Sequence, residues 1–438
     1  MQIHLSARLT RRAVPAAVLI ALVLAVAPAA HSEGVSIHVP RVYFGLHDRS
    51  LESYQHLDVG SIRLWDARVT WREIETSPGV YDWGLLDSYV RAAQEHHTEV
   101  TLVLAMTPSF YGPAPTLAPR MMSHYRDFVR AVMLRYRSFE GRRGIAAYQV
   151  WNEGNVSWSW TGTPQSLALI TRAVWRIHRQ VDPGATIVAP SFAVRLASQR
   201  RWMSAYQSQR VGGHPVHDYY DVNALSLYPK VEYHGRPGGP EDAMRLLAVA
   251  ERQLARAGVP RSTPLWDSEV NYGLTGQVTA AAPISERRQV ANVIRTYVLG
   301  AAHGLARMFW YRYDWGPLSP ANGGGTFGNT LLSVPNSPAV LTPAGAAVGT
   351  AESWLRGRLI GRNGRPPCAH DPRRTYTCVV RYAGGVRRIL WNPDRSVLVP
   401  FPRGATVLQR AGEPVRAAGQ RRSSLRVSFL PVMVASRS

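Results

Sequence analysis

The sequence predicts a (β/α)8 barrel followed by a small all-β domain of the β-sandwich type. Between residues 40 and 356, eight short apolar runs alternate with helical patterns. The runs are continuous rather than alternating, as in parallel strands that are covered on both faces. After Gly357 the pattern changes to short β-like segments separated by Gly, Pro, Asn and Asp. A chain of 438 residues with 45% hydrophobic residues can fold into one large domain and one small one.

The eight runs are the candidate barrel strands: Val42–Leu46, Ser61–Trp65, Val100–Met106, Ile145–Trp151, Thr186–Ala189, Val222–Tyr228, Pro264–Val270 and Met308–Tyr311. Among the helices between and after them, one is expected to open at Pro119, and others to span Glu241–Ala257, Glu286–Ala302 and Pro343–Leu355. A doubly wound sheet is the alternative architecture. The Gly-rich phosphate turn that often follows its first strand is missing here, which favours the barrel.

The remaining segments complete the domain plan. Residues 316–338 are rich in Gly, Pro, Ser and Asn and are expected to form a long loop after the eighth strand. Residues 357–438 are the predicted β-sandwich domain. Its two cysteines, Cys368 and Cys378, are expected to form a disulfide if the chain is exported.

The sequence of residues 1–32 predicts a signal peptide. Three arginines precede an apolar stretch, Ala13–Ala30, and Ala27-Pro28-Ala29 provides a cleavage site. The alternative is an uncleaved membrane anchor, but Pro15 and Pro28 shorten the apolar core below the ~20 residues that span a bilayer. The expected mature protein is secreted or associated with the cell wall, without stable membrane insertion.

The formal net charge of +22 arises almost entirely from arginine, because Lys230 is the only lysine. The arginines are scattered, and the sequence contains no zinc-finger spacing or RNP-like aromatic box, so nucleic acid is not an expected partner. We interpret the charge as solvated surface; attraction to an anionic polymer is the functional alternative. In the "HPVHD" segment, His214, His217 and Asp218 lack the spacing of known zinc motifs. We therefore expect neither a metal nor another cofactor.

Two glutamates end predicted strands. Glu153 follows the fourth run in "YQVWNEGNV", and Glu269 ends the seventh in "PLWDSEVNYG". The C-terminal ends of barrel strands carry the chemistry, and strands 4 and 7 lie on opposing arcs, so the two carboxyl groups can converge. Cleavage of a glycosidic bond needs such a pair, one as acid and the other as nucleophile or stabilising charge. The expected substrate is therefore an oligo- or polysaccharide.

Several motifs in chain order resemble the retaining β-glycosidases of glycoside hydrolase clan A, most closely family 39 and its secreted actinobacterial relatives. The motifs are "WNE" at strand 4, "WDSE" at strand 7, "VTWREIETSPGVYDWGLLDSYVRAA" after strand 2, "LAMTPSFYG" at strand 3 and "ILWNPDRSVLVPFP" in the C-terminal domain. The likeness spans about residues 42–435.

The resemblance implies roles for six residues. Glu153 corresponds to the acid/base and Glu269 to the nucleophile. The residues implied to bind or position the sugar are Asn152 at its 2-hydroxyl, Arg63 and Tyr228 beside the nucleophile, and Trp310 beneath the ring, with Trp315 as a competitor for that last role.

Two positions depart from the family pattern. Gly154 stands where a proline usually follows the acid/base, and Ser226 stands where a histidine often precedes the tyrosine. Strict alternation along a strand also cannot aim both Asn152 and Glu153 at one substrate, so either the strand ends at Trp151 or a bulge re-aims one of them. The rival functions are a non-catalytic glycan-binding barrel at the cell surface and an exported protein that binds an anionic polymer.

Overall fold

The computed structural model describes residues 35–229, 238–272, 284–314, 331–361, 366–418 and 423–437, together with the backbone of 232–233 and 236–237. The predicted signal peptide, Trp315 and most of the predicted loop 316–338 lie outside the described residues.

Eight parallel strands close into a barrel in chain order, which confirms the predicted fold class. The strands are β1 (Phe44–Leu46), β2 (Ser61–Leu64), β3 (Glu99–Val103), β4 (Ala147–Gln149), β5 (Thr186–Ala193), β6 (Val222–Ser226), β7 (Leu265–Val270) and β8 (Arg307–Trp310). Six apolar side chains pack together inside the barrel: Ala147, Val188, Val222, Ala224, Trp266 and Phe309. Gly45 in β1 makes room for them, because a Cβ there would lie 2.6 Å from the Phe309 ring.

Helices cover the outside of the barrel. The long ones are α1 (Gly84–Glu95), α2 (Met122–Tyr136), α3 (Pro164–Val181), α4 (Ala197–Gln207), α5 (Pro240–Arg256), α6 (Glu286–Ala302) and α7 (Pro343–Leu355). Shorter helical turns span Ser53–His56, Trp71–Ile74, Arg41–Tyr43 and Val216–Tyr219. Among the described residues, no helix is long and apolar enough to cross a membrane.

Helix starts follow their local sequence. α3 begins with Pro164 at its first turn, and the Thr163 side chain accepts a hydrogen bond from the Ser166 amide at 3.1 Å. The prediction that a helix opens at Pro119 was wrong by one turn, since α2 begins at Met122.

Four short antiparallel hairpins lie in the described loops of the barrel. They pair Glu75–Ser77 with Val80–Tyr81, Arg210–Val211 with His214–Pro215, Glu232–Tyr233 with Arg236–Pro237, and Ser333–Val334 with Ser337–Leu341.

The C-terminal part is an antiparallel two-layer structure. Its labelled strands are β9 (Arg358–Ile360), β10 (Tyr376–Tyr382), β11 (Gly385–Trp391), β12 (Val397–Pro400), β13 (Ala405–Arg410), β14 (Ser424–Val427) and β15 (Val432–Ser436). The larger sheet has the order β9-β10-β11-β15-β13, extended at its ends by Ser36–His38 and Arg416–Ala417, and Ala369–His370 pairs with β10. β12 and β14 form the second layer, and an apolar cluster that includes Leu390 and Leu425 lies between the layers.

Polar side chains join the two parts of the chain. The Trp391 indole donates to Glu241 at 2.7 Å, and Glu241 also forms a buried ion pair with Arg295 on α6. The Trp354 indole of α7 donates to Gln409 at 2.8 Å. The predicted disulfide between Cys368 and Cys378 is present.

Candidate active site

The Arg63 guanidinium lies at the centre of a buried polar cluster at the C-terminal ends of the barrel strands. Its Nη1 donates to Glu269 at 2.8 Å, its Nη2 to Asn152 at 2.7 Å and its Nε to Gln149 at 2.7 Å. Arg63 is 1% exposed, so its charge is compensated by these acceptors rather than by water. One side chain from β2 therefore fixes groups from β4 and β7.

Glu153 reaches the cluster because the backbone leaves the strand before it. β4 ends at Gln149, and Glu153 has φ 32°, outside the extended region. Its amide donates to the Ser191 hydroxyl at 2.8 Å, and the Gly154 amide donates to the Ser191 carbonyl at 2.9 Å. The strand therefore ends before Asn152 and Glu153, so the two residues do not follow strand alternation and can both face the same site.

Gly154 therefore has a local role that proline cannot fill. Proline lacks the N–H that bonds Ser191. An added Cβ at Gly154 would also lie 2.5 Å from the Leu167 side chain of α3. The departure from the family pattern accordingly agrees with the packing in this chain.

Glu269 is oriented by an irregularity in β7. The pairing of β6 with β7 shifts register so that Ser226 faces Glu269 and Ser268 has no partner, which is the pattern of a bulge. The Tyr228 hydroxyl donates to the second Glu269 oxygen at 3.2 Å. Both oxygens of this carboxyl group are thus held by donors, one cationic and one neutral.

The two carboxyl groups influence each other. Burial raises the pKa of Glu269 to about 8; Arg63 opposes this rise, and Glu153 adds to it. Burial likewise raises the pKa of Glu153, whereas the Ser226 hydroxyl, Arg63 and Arg195 lower it. Because the carboxyl groups are neighbours and the pKa of each is raised, the pair retains one proton above the ordinary carboxyl range. Arg63 and Tyr228 both donate to Glu269, so we assign that proton to Glu153.

Some donors and acceptors at the cluster have no partner within it. The Asn152 side-chain oxygen accepts a hydrogen bond from Arg63, while its buried Nδ2 makes no hydrogen bond. The Ser226 hydroxyl is also buried; it lies near enough to the Glu153 carboxyl to lower its pKa but makes no hydrogen bond of ordinary geometry. Such groups are costly unless a ligand satisfies them.

Trp310 is the predicted residue that the structure does not bring to the carboxyl groups. It is 0% exposed, and its ring faces Tyr272, with the centroids 6.0 Å apart. Its neighbours Phe309 and Tyr311 approach His47 instead, and side chains alternate along a strand, so Trp310 points to the opposite face.

Tyr311, the next residue, lies near Glu269; burial raises the pKa of the Tyr311 hydroxyl, and the Glu269 charge contributes to this rise. Tyr311 is partly exposed, and its hydroxyl donates to Asp66 at 2.7 Å. Asp66 also forms an ion pair with Arg312. Burial alone would raise the pKa of Asp66, but the Arg312 charge and the Tyr311 hydroxyl hold it below the ordinary value. Asp66 is therefore a second anionic group at this end of the barrel.

The residues that support the carboxyl pair are not evident from the sequence. Gln149, Ser191 and His47 gain their roles from contacts between strands. His47 Nε2 lies 3.0 Å from the Ser268 carbonyl, and burial together with Arg63 lowers the pKa of this imidazole to about 3, so it is neutral. A polar residue in the middle of an apolar strand, as Gln149 is, was the one available signal.

The structure also bears on the segment with three possible metal ligands. Within the described ranges, no three His, Cys, Asp or Glu side chains are grouped to hold a metal ion. His214 and Asp218 lie 3.4 Å apart on the surface.

Solved structures with the same architecture include several glycoside hydrolases. A glucosidase from Croceicoccus marinus has a TM-score of 0.64 at 15% identity and covers 92% of this chain and 98% of its own. A family 39 glycoside hydrolase from Bacteroides cellulosilyticus WH2 has a TM-score of 0.66 at 15% identity, covering 91% and 82%. A GH30 endoxylanase from Clostridium papyrosolvens C71 has a TM-score of 0.56 at 12% identity, covering 92% and 98%.

No protein-family model and no curated protein sequence matches this chain. At the identities of the solved structures, the likeness establishes the fold. The structural neighbours include a family 39 enzyme, the family that the sequence motifs resemble most. The chain thus has the barrel-and-sandwich fold found in glycoside hydrolases of families 39 and 30.

Proposed function

We propose that this protein is an exported retaining glycoside hydrolase that cleaves O-glycosidic bonds in a carbohydrate by a two-glutamate double displacement. The observation that carries the proposal is the pair of Glu153 and Glu269 at the ends of β4 and β7, with Arg63 and Tyr228 both donating to Glu269. Both carboxyl groups are buried, and the two donors on Glu269 produce the asymmetry that acid and nucleophile need.

In the first step, Glu269 attacks the anomeric carbon while Glu153 gives its proton to the leaving oxygen. The bond from the anomeric carbon to that oxygen breaks as the bond to the Glu269 carboxylate forms. Arg63 and Tyr228 keep Glu269 ionised before the attack. In the second step, Glu153 removes a proton from water, and the water oxygen displaces Glu269.

The remaining groups position the sugar. The unbonded Nδ2 of Asn152 is available to donate to a hydroxyl beside the anomeric centre. Tyr311, which is partly exposed, offers a ring face and replaces Trp310 in the predicted platform role. A binding protein without turnover needs no such proton donor, which favours the enzyme over the glycan-binding alternative.

A substrate screen tests the proposal. Aryl glycosides and cell-wall polysaccharides are incubated with wild-type protein, with Glu269→Ala, and with Glu95→Ala as a matched control. Glu95 is exposed at the end of α1. We expect turnover of at least one substrate by wild type and the control and none by Glu269→Ala. Binding without turnover in all three would support the glycan-binding barrel instead.

Export has its own test. We expect N-terminal sequencing of the mature protein to begin near Ala30–Glu33, which would show cleavage of the predicted signal peptide. A mature chain that retains residues 19–26 would indicate a membrane anchor.

A further inference from the structure

A cavity of about 310 Å³ lies between α4 and α5. Its lining includes Arg195 from the loop after β5, Pro229 directly after Tyr228, and residues of α4 and α5. Three arginines and one aspartate line it, namely Arg195, Arg200, Arg245 and Asp242. A recess that concentrates one sign of charge attracts ions of the opposite sign.

The charges in this cavity are unevenly compensated. Arg245 forms an ion pair with Asp242. Arg200 donates to the backbone carbonyls of Val194 at 2.7 Å and Arg195 at 3.1 Å, which fixes the loop that carries Arg195. The guanidinium of Arg195 itself is half-buried and, within the described part of the chain, makes no hydrogen bond or ion pair. A guanidinium that is held on an anchored loop and has no acceptor for its N–H groups is suited to bind a carboxylate or sulfate of a ligand.

The cavity lies on the side of the acid/base. Asn155, two residues after Glu153, bonds the backbone of Ala193 and Gln199 on either side of Arg195. Arg195 also acts on the Glu153 carboxyl, whereas the main charges acting on Glu269 are Arg63, Glu153 and Asp66. The group that protonates the leaving oxygen faces the leaving-group half of the substrate.

We infer that this cavity is a subsite for an acidic sugar on the leaving-group side of the scissile bond, with Arg195 binding its carboxylate or sulfate. The inference rests on the proposed function, because the leaving-group side is defined by Glu153 acting as the acid/base. It also revises the sequence-based interpretation of the arginines as solvated surface, at this one place. The substrate class is therefore a glycan that carries negative charge next to the bond that is cleaved.

A pair of aryl glycosides tests this assignment. Both carry the sugar that the screen identifies, and their leaving groups differ only in one carboxylate. We expect wild type to prefer the carboxylated substrate in kcat/KM by roughly tenfold, as one charge-assisted contact allows. Arg195→Gln should bring that ratio close to one, and added salt should reduce it in wild type. Arg252→Gln, which removes the same charge from the exposed surface of α5, should leave the ratio unchanged.

Binding separates failure of this inference from failure of the proposed function. Calorimetry measures the affinity of both glycosides for Glu269→Gln and for the same variant with Arg195→Gln. Tighter binding of the carboxylated compound that is lost with Arg195 supports the subsite even if wild type hydrolyses neither. Equal affinities and equal rates for the two compounds would overturn the subsite while leaving a glycosidase. If Arg195→Gln lowered the affinity for both compounds equally, the subsite would also be overturned, because the arginine would then not distinguish the carboxylated compound from the neutral one.

Discussion

Arg63 Nη1 lies 2.8 Å from Glu269 Oε1, and this ion pair is almost fully buried. The same guanidinium also holds Asn152, the residue that precedes Glu153. Arg63 thereby links the charge state of one glutamate to the position of the other.

Replacing Arg63 should damage both activity and stability. We expect Arg63→Gln to lower kcat by about 10²–10³, the range for loss of one preorganised electrostatic contact. Leaving Glu269 buried without its partner should also destabilise the fold by about 3–5 kcal/mol. Kinetics and urea unfolding measure the two effects.

The matched control for Arg63 is another buried ion pair, Arg295–Glu241, which joins α5 and α6. Arg295→Gln should lose comparable stability but keep kcat per folded molecule. If both variants lose kcat equally, Arg63 is only a structural residue.

The second prediction concerns Tyr311 as the proposed sugar platform and Trp310 as a buried packing residue. Tyr311→Ala should raise KM by about tenfold with a small change in stability, because a partly exposed ring is lost from the proposed site. Trp310→Ala should instead lower the free energy of unfolding by about 3–5 kcal/mol, because it empties a fully buried position. Substrate saturation curves and urea unfolding of both variants measure this. The opposite pattern would restore Trp310 as the sugar platform.

The pH profile should report the shared proton. Burial raises the pKa of Glu153, and we assign the retained proton to it. The acid is therefore present below this raised pKa and is lost above it, so kcat on a substrate with a poor leaving group should fall as pH rises above the ordinary carboxyl range. A rate that stays level to strongly alkaline pH would contradict the assignment.

Stability should follow the same titration. Because burial raises the folded pKa of Glu153 above its value in the unfolded chain, folded protein binds the proton more tightly, and stability is lost as pH rises from the ordinary carboxyl pKa through the raised one. Glu153→Gln removes this titration. Its Tm relative to wild type should therefore be more favourable at pH 9 than at pH 5; an unchanged difference would argue against the raised pKa.

The disulfide should stabilise the C-terminal domain. Cys368 and Cys378 are separated by 10 residues, and closing so short a loop contributes up to about 3 kcal/mol on the chain-entropy argument. The double variant Cys368→Ser/Cys378→Ser should unfold at a lower urea concentration with little change in kcat, since no cysteine lies in the carboxyl cluster. A large loss of kcat in folded protein would show that this domain acts on the site.

Much of the barrel and its carboxyl pair was predictable because each depends on a local pattern. Apolar runs fixed the strands to within a few residues, and a charged residue at a strand end is a strong local signal. The roles of Ser191 and Gln149 were not predictable, because they arise from pairing between strands distant in sequence. The direction of the Trp310 side chain was not predictable for a related reason: an apolar strand does not reveal which of two neighbours faces inward, and a shift of one residue reverses every side chain.

The double displacement is the central claim, and the anomeric configuration of the first product tests it most directly. In this mechanism Glu269 and Glu153 are expected about 5–5.5 Å apart, so that Glu269 attacks the sugar itself. Time-resolved proton NMR of the hydrolysis of the substrate found in the screen should show the starting anomeric configuration in the first sugar released. A first product of inverted configuration would mean that water attacks directly, and would contradict the role of Glu269 as nucleophile.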